Sequence, residues 1–336
     1  MTTKNGVDNF VTGNGFTSRE NDPDFQTGRV LFRDEESRFH VGDSFCLGRY
    51  RILEYLGSGN FEVYKVLSPE EKIYAIKVFF LEEHAQWEFK VLSDLKGCPN
   101  IVDAHLVDSD VSKGVHLLVL EYIEGQILSK DAMSLFKDEK IGDGERDLKQ
   151  KVLCMLINCV CVSLLFAHQN SIIHGDLKPS NIMLCEDGVK VLDFGTAQYL
   201  EVANRTSSNP ECLGTVIYQA PEQLFGGELT PATDFYAFAS VLFQLLTGKP
   251  FIGMVMGEFE NLTSNLSGII DCSEMKLVLQ KNLSQDPQNR SPNAETFRKD
   301  LLFSMGLSRS SNSGTDIGAN LRRIISRFLG EERIKI

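Results

Sequence analysis

The sequence predicts an α+β fold of two lobes: a small five-stranded β lobe carrying one helix, followed by a larger, mainly helical lobe. Short β-rich runs separated by Gly-Ser-Gly and Ser-Pro-Glu-Glu turns fill residues 50–122. Beyond Gly125 the pattern turns helical, and the stretch 233–247 is hydrophobic nearly all round, the mark of a helix buried in the middle of a lobe. A hydrophobic content of 42% with 24% charged residues leaves enough apolar side chain for a real core. The length of 336 residues suits two ordinary domains or one two-lobed domain with extensions.

In order along the chain, residues 1–45 are rich in Asn, Thr, Gly, Asp and Ser without a sustained period, and are expected to form a flexible extension. Its short apolar piece, Arg29 to Phe32, could dock as an added strand. The main domain is expected over 46–304, with the small lobe at 46–124 and the large lobe at 125–304. Strands are predicted at 50–56, 63–67 and 73–80, a helix at 82–96, and strands at 101–107 and 115–122. The apolar run 152–167 is interrupted by Asn158 and Ser163 and falls short of the roughly 20 residues of a membrane span. It reads as a buried helix, and no transmembrane segment is expected. After Ser304, a Ser/Gly/Asn-rich linker leads into a tail at 305–336. There Leu321, Ile324, Ile325, Phe328 and Leu329 form an apolar stripe flanked by Arg322, Arg323 and Arg327. A helix packed on its own domain is weighed above a membrane-surface or partner-binding helix.

A formal charge of -12 and the lack of clustered Lys and Arg argue against a nucleic-acid partner. Eight cysteines are scattered with no C-x-x-C pair and no secretory signal. They read as reduced core thiols of a cytoplasmic protein, with secretion into a host cell left open; only Cys212 sits where redox chemistry is worth a thought.

The chemistry concentrates in two neighbouring stretches, His174-Gly-Asp-Leu-Lys-Pro-Ser-Asn-Ile-Met-Leu184 and Val191-Leu-Asp-Phe-Gly195. Asp176 supplies a base-like carboxylate, Lys178 a cation, and Asn181 and Asp193 hard oxygen ligands suited to magnesium, the parts that phosphoryl transfer requires. Upstream, Gly57-Ser58-Gly59 lies between two predicted strands, where glycines let backbone N–H groups approach phosphates. Taken alone this is weak, because such a turn is common in hairpins. Lys77 ends an apolar strand and needs a counter-charge, for which Glu88 is the candidate.

From about Tyr50 to Phe303, roughly three quarters of the chain, these motifs resemble the eukaryotic-type (Hanks-type) protein kinases, bacterial ones more than animal ones. The fold this implies is the two-lobed kinase architecture. Gly57 to Tyr64 resembles the glycine-rich loop with its third glycine missing, and Phe61 and Val63 would cover the phosphates and adenine. Tyr74-Ala-Ile-Lys-Val78 resembles V-A-I-K, so Lys77 would ground the α and β phosphates beside Glu88, at a spacing shorter than usual. Leu117 to Gly125 resembles the hinge, with Leu120 as gatekeeper, backbone groups of Glu121 and Ile123 bonding adenine, and Ala75 and Met183 sandwiching it. The catalytic loop pattern is H-R-D-x-x-x-x-N, with Gly175 standing in place of Arg. Asp176 would orient a substrate hydroxyl, Lys178 would neutralise the migrating phosphoryl group, and His174 would shape the loop. Asp-x-Lys-x-x-Asn implies transfer to Ser or Thr.

Downstream, Leu213 to Glu222 resembles the end of a protein kinase activation segment, in which Thr215 would bridge Asp176 and Lys178. Asp234 would anchor the catalytic loop, Arg290 would pair with Glu222, and Thr247 to Phe251 resembles the turn after the central helix. The resemblance therefore implies an ATP-dependent serine/threonine protein kinase using Mg2+, or Mn2+, on a protein substrate. Gly175 lacks the side chain that pairs with an activation-loop phosphate, so phosphates at Thr206, Ser207 or Ser208 are not expected to be the main switch. Two alternatives remain open. One is a pseudokinase scaffold, suggested by the missing glycine, the short Lys77 to Glu88 interval and Gly175; the other is a small-molecule phosphotransferase, suggested by the H-G-D pattern.

Overall fold

The structure, a computed structural model, describes residues 37–58, 61–128, 143–200, 216–251 and 272–306. Gly59, Thr206, Ser207, Ser208, Cys212, Thr215 and the expected helix at 321–329 lie outside the described residues.

The small lobe is a six-stranded antiparallel sheet. Its strands are β1 (Ser44–Phe45), β2 (Tyr50–Ser58), β3 (Glu62–Leu67), β4 (Ile73–Phe79), β5 (Ala104–Asp110) and β6 (Val115–Glu121), in the order β1-β2-β3-β4-β6-β5. The period of two is plain in β3, where Glu62, Tyr64 and Val66 are buried and Val63, Lys65 and Leu67 are half-buried. That buried row, with Ile52, Ile76, Val78 and Val119, needs a cover. Residues 37–45 provide it, although the sequence places them in the extension: Phe39 and Phe45 pack edge-on against Tyr64. Glu62, 4% exposed, accepts the Arg38 backbone N–H at 3.0 Å and the Tyr64 hydroxyl at 2.9 Å. Hence β1 is one strand more than the five expected.

The opposite face of the sheet carries α1 (Glu82–Asp94), whose acidic first turn, Glu82 and Glu83, suits the positive end of the helix dipole. Ala85, Glu88, Val91 and Leu92 form its buried face, at helical spacing. The strand expected from residue 101 begins at Ala104 because the preceding residues turn to the other lobe. Ile101 bridges Val191, and Val102 N–H donates to Val191 O at 3.1 Å.

In the large lobe, α2 (Asp143–Gln169) packs against the hairpin β9 (Ile182–Cys185) and β10 (Gly188–Val191), and against α6 (Ala294–Ser304). Its segment Lys149–Gln169 is long and apolar enough to cross a membrane by length and composition, yet 61% of that window is buried inside the protein, as a core helix would be. Between these elements lie β7 (Gly125–Ile127), β8 (Ile172–Ile173), β11 (Gln198–Tyr199), α3 (Pro221–Leu224), α4 (Pro231–Thr247) and α5 (Cys272–Asn282). The central helix α4 is buried from Thr233 to Leu246 except at Gln244, each large apolar side chain contributing about 1.5–3 kcal/mol. It ends at Gly248, whose left-handed φ of 71° lets its N–H reach Gln244 O at 2.7 Å.

β7 pairs with β9 so closely at Gly125 that a Cβ there would lie 2.4 Å from Leu184 O. Gly125→Ala is therefore expected to destabilise the fold by about 1–3 kcal/mol, read from the midpoint of chemical denaturation, because backbone cannot yield as a flexible side chain does.

Candidate active site

Strand β4 delivers Lys77 to the floor of the interlobe cleft, and α1 presents Glu88 to it. Lys77 Nζ sits 2.7 Å from Glu88 Oε2 and 2.7 Å from Asp193 Oδ1, so one cation holds two carboxylates. Burial works against the charge on Lys77, but Asp193 and Glu88 outweigh it and raise the ammonium's pKa. Burial pushes Glu88 up to about 7 against the attraction of Lys77, and the Asp193 charge adds to the rise. Asp193 goes the other way: despite burial, Lys77 holds it at about 2. Gly195 leaves little room beside this cluster: a Cβ there would lie 3.0 Å from Glu88 Oε2 and 3.3 Å from Asp193 Oδ1.

The catalytic loop hangs from Asp234 on α4. One carboxylate oxygen accepts the His174 N–H at 3.0 Å and His168 Nε2–H at 2.7 Å; the other accepts the Gly175 N–H at 3.0 Å. Burial raises the Asp234 carboxyl, and these donors more than offset it, so its pKa is lowered. His174 is fully buried against Phe194, its Nε2 on Leu192 O and its Nδ1 accepting the Asp176 N–H, which makes it a scaffold for the loop. Gly175 takes a left-handed φ of 75°, strained for any side-chain-bearing residue. Asp176 and Lys178 meet at 2.6 Å. Asn181 Nδ2 donates to Asp176 O at 2.9 Å, and Asn181 O accepts the Leu192 N–H at 2.8 Å, which ties Asn181 to the residue before Asp193.

The end of the activation segment is fastened to this loop. Gln223 Nε2 donates to Gly175 O at 2.7 Å, and its Oε1 accepts the Ala220 N–H at 3.0 Å. Glu222 forms a two-pronged pair with Arg290, at 2.7 and 2.8 Å, and accepts Thr233 Oγ1–H at 2.9 Å.

Of the residues expected around a nucleotide, Val63 lies on β3, Ala75 on β4, Leu120 on β6 and Met183 on β9, with Ala75 paired to Leu120 in the sheet. Gly57 and Ser58 end β2, and Gly57 adopts φ 132°. Phe61 turns inward, 4.4 Å from the Phe79 ring centroid, with Lys77 Nζ 5.0 Å above its own. Glu121 donates its backbone N–H to Asp103 O at 2.9 Å. Its side chain pairs with Lys190 on β10, a hinge contact that sequence reasoning missed. Among the described residues no three His, Cys, Asp or Glu side chains converge as a metal cage. An Asn with one Asp fits instead an ion that takes its remaining ligands from phosphates and water, as magnesium does.

A protein kinase domain model matches residues 50–314. A probable serine/threonine-protein kinase of Dictyostelium discoideum is 32% identical over 273 residues, which cover 78% of this chain and 50% of that protein. PrkC of Bacillus subtilis is 34% identical over 218 residues (61% and 32%), and PknB of Mycobacterium leprae 32% over 196 (55% and 30%). The chain thus spans half or less of these curated relatives. The crystal structure of the Mycobacterium tuberculosis PknI kinase domain matches the fold with a TM-score of 0.58 at 20% identity, covering 80% of this chain and all of that one. With motifs, lobes and family model in agreement, the chain belongs to the protein kinase domain family, in its Hanks-type serine/threonine branch.

Proposed function

We propose that this chain transfers the γ-phosphate of ATP to Ser or Thr hydroxyls of a protein, with Asp176 as the residue that orients the hydroxyl. The observation that carries the reading is the complete and connected set: Lys77 on Glu88 and Asp193, and Asp176 on Lys178 and Asn181. A scaffold would be free to lose any of these. Asn181 and Asp193 would hold the magnesium ion, which when bound neutralises charge on the transferring phosphates. Lys77 would bind the α and β phosphates, Lys178 would face the migrating group, and Leu120, Ala75 and Met183 would enclose the base.

Transfer of labelled phosphate from ATP to a generic protein, with phosphoamino-acid analysis and Asp193→Asn as the blank, tests the proposal. Label on phosphoserine or phosphothreonine supports it. Nucleotide binding without transfer would favour a scaffold, and label only on small molecules a phosphotransferase.

Gly175 N–H and C=O are both engaged, by Asp234 and Gln223, and the residue has no side chain to offer a phosphate. Phosphorylation at Thr206, Ser207 or Ser208 is therefore expected to change turnover by less than about threefold; a gain of about tenfold that tracks such a phosphate would overturn this reading of the loop.

A further inference from the structure

The far side of α1 makes a second set of contacts. Trp87, Lys90 and Asp94, at i, i+3 and i+7, share one face of the helix, and all three reach the root of the activation segment. Trp87 Nε1 donates to Ala197 O at 3.2 Å, and its ring meets the Tyr199 ring edge-on at 5.6 Å. The Tyr199 hydroxyl donates to Asp94, and Lys90 Nζ lies 4.1 Å from the Tyr199 ring centroid. The backbone of the same residues belongs to the large lobe. Tyr199 pairs with Ile172, Gln198 with Ile173, and the Leu200 N–H reaches Ser171 O at 2.8 Å. Residues 197–200 are thus fixed to one lobe by their backbone and to the helix of the other by side chains.

We infer that Trp87, Tyr199 and Asp94 are positioning residues, a clamp that holds α1 against the activation-segment root and so keeps Glu88 on Lys77 without a phosphate. The inference rests on the proposed kinase reading and deepens it. Trp87 directly precedes Glu88, so a shift of α1 that freed the indole from Ala197 O would carry Glu88 away from Lys77. Gly175 offers no charge for a phosphate to organise; aromatic packing and two hydrogen bonds instead fasten α1 to the activation-segment root.

The test compares dephosphorylated wild type with Trp87→Phe, Tyr199→Phe, their double variant, Asp94→Asn and Asp94→Ala. It reads kcat and KM together with amide hydrogen exchange of residues 82–94 and of α4. The double variant is expected to lose about tenfold in kcat with KM for the protein substrate within about twofold, and its α1 amides to exchange about tenfold faster while those of α4 do not change. Asp94→Asn, which keeps an acceptor for the Tyr199 hydroxyl, should behave as wild type, and Asp94→Ala should not. Unchanged α1 exchange in the double variant overturns the clamp. So does equal acceleration in α1 and α4, which would mark general destabilisation. If wild type transfers no phosphate, the proposed function fails while the exchange arm still decides the clamp.

Discussion

Asp176→Asn is expected to lower kcat by roughly 10²–10⁴-fold while leaving the KM for ATP and the melting temperature nearly unchanged. The substitution keeps the size and one oxygen of the side chain and removes only its charge and basicity. Nothing that shapes the loop depends on that charge, because Asp234 holds the backbone at His174 and Gly175, and Asn181 bonds the Asp176 carbonyl, not the carboxylate. What changes is the oxygen that receives the hydroxyl proton and the ion pair that parks Lys178 at 2.6 Å. Steady-state kinetics beside a thermal melt decide the matter. A loss in kcat below about tenfold would remove Asp176 from the proton-handling role, and a lowered melting temperature would make the residue structural.

Parts of this site were legible in the sequence for a physical reason. Asp176, Lys178 and Asn181 sit in one short loop, so local order fixes their geometry, and Lys77 announces a partner because a cation at the end of an apolar strand cannot stay unpaired. The pairs found, Lys77 with Glu88 and Arg290 with Glu222, are the expected ones. Asp234 likewise hangs the loop as the resemblance implies. The contributions that stayed hidden depend on distance along the chain. Trp87 and Tyr199 meet across more than a hundred residues, and no periodicity connects them, although the chain's single tryptophan directly before Glu88 was a cue. Residues 37–45 were masked by composition: Asp, Gly and Ser surround Phe39 and Phe45, whose burial follows from an uncovered sheet face rather than from their own neighbours. Nothing in the neighbouring sequence marks Lys190, because its partner Glu121 is reached only through the placement of β10.

Arg290→Ala is expected to destabilise the protein by about 3–5 kcal/mol, because it strands Glu222 as a buried carboxylate with its counter-charge gone. The Arg290 guanidinium is fully buried, holds both Glu222 oxygens, and also donates to Ala232 O at 3.0 Å and Ser284 O at 3.0 Å. Of the two side chains that bond the Glu222 carboxylate, only Thr233 would remain. The expected fall in melting temperature is on the order of 10 °C, read by calorimetry or by the denaturant midpoint. Replacing both members, Arg290→Met with Glu222→Leu, should recover much of the stability, since the cost lies in the unpaired charge and not in the loss of the pair. Activity should not return with it. Glu222 directly precedes Gln223, whose side chain takes the Ala220 N–H and ties the activation segment's end to Gly175 O, beside Asp176. An apolar pair can fill the space, but it loses the fixed bond directions that hold α3 over the catalytic loop. A double variant that regains both its melting temperature and wild-type turnover would show that this ion pair serves stability alone.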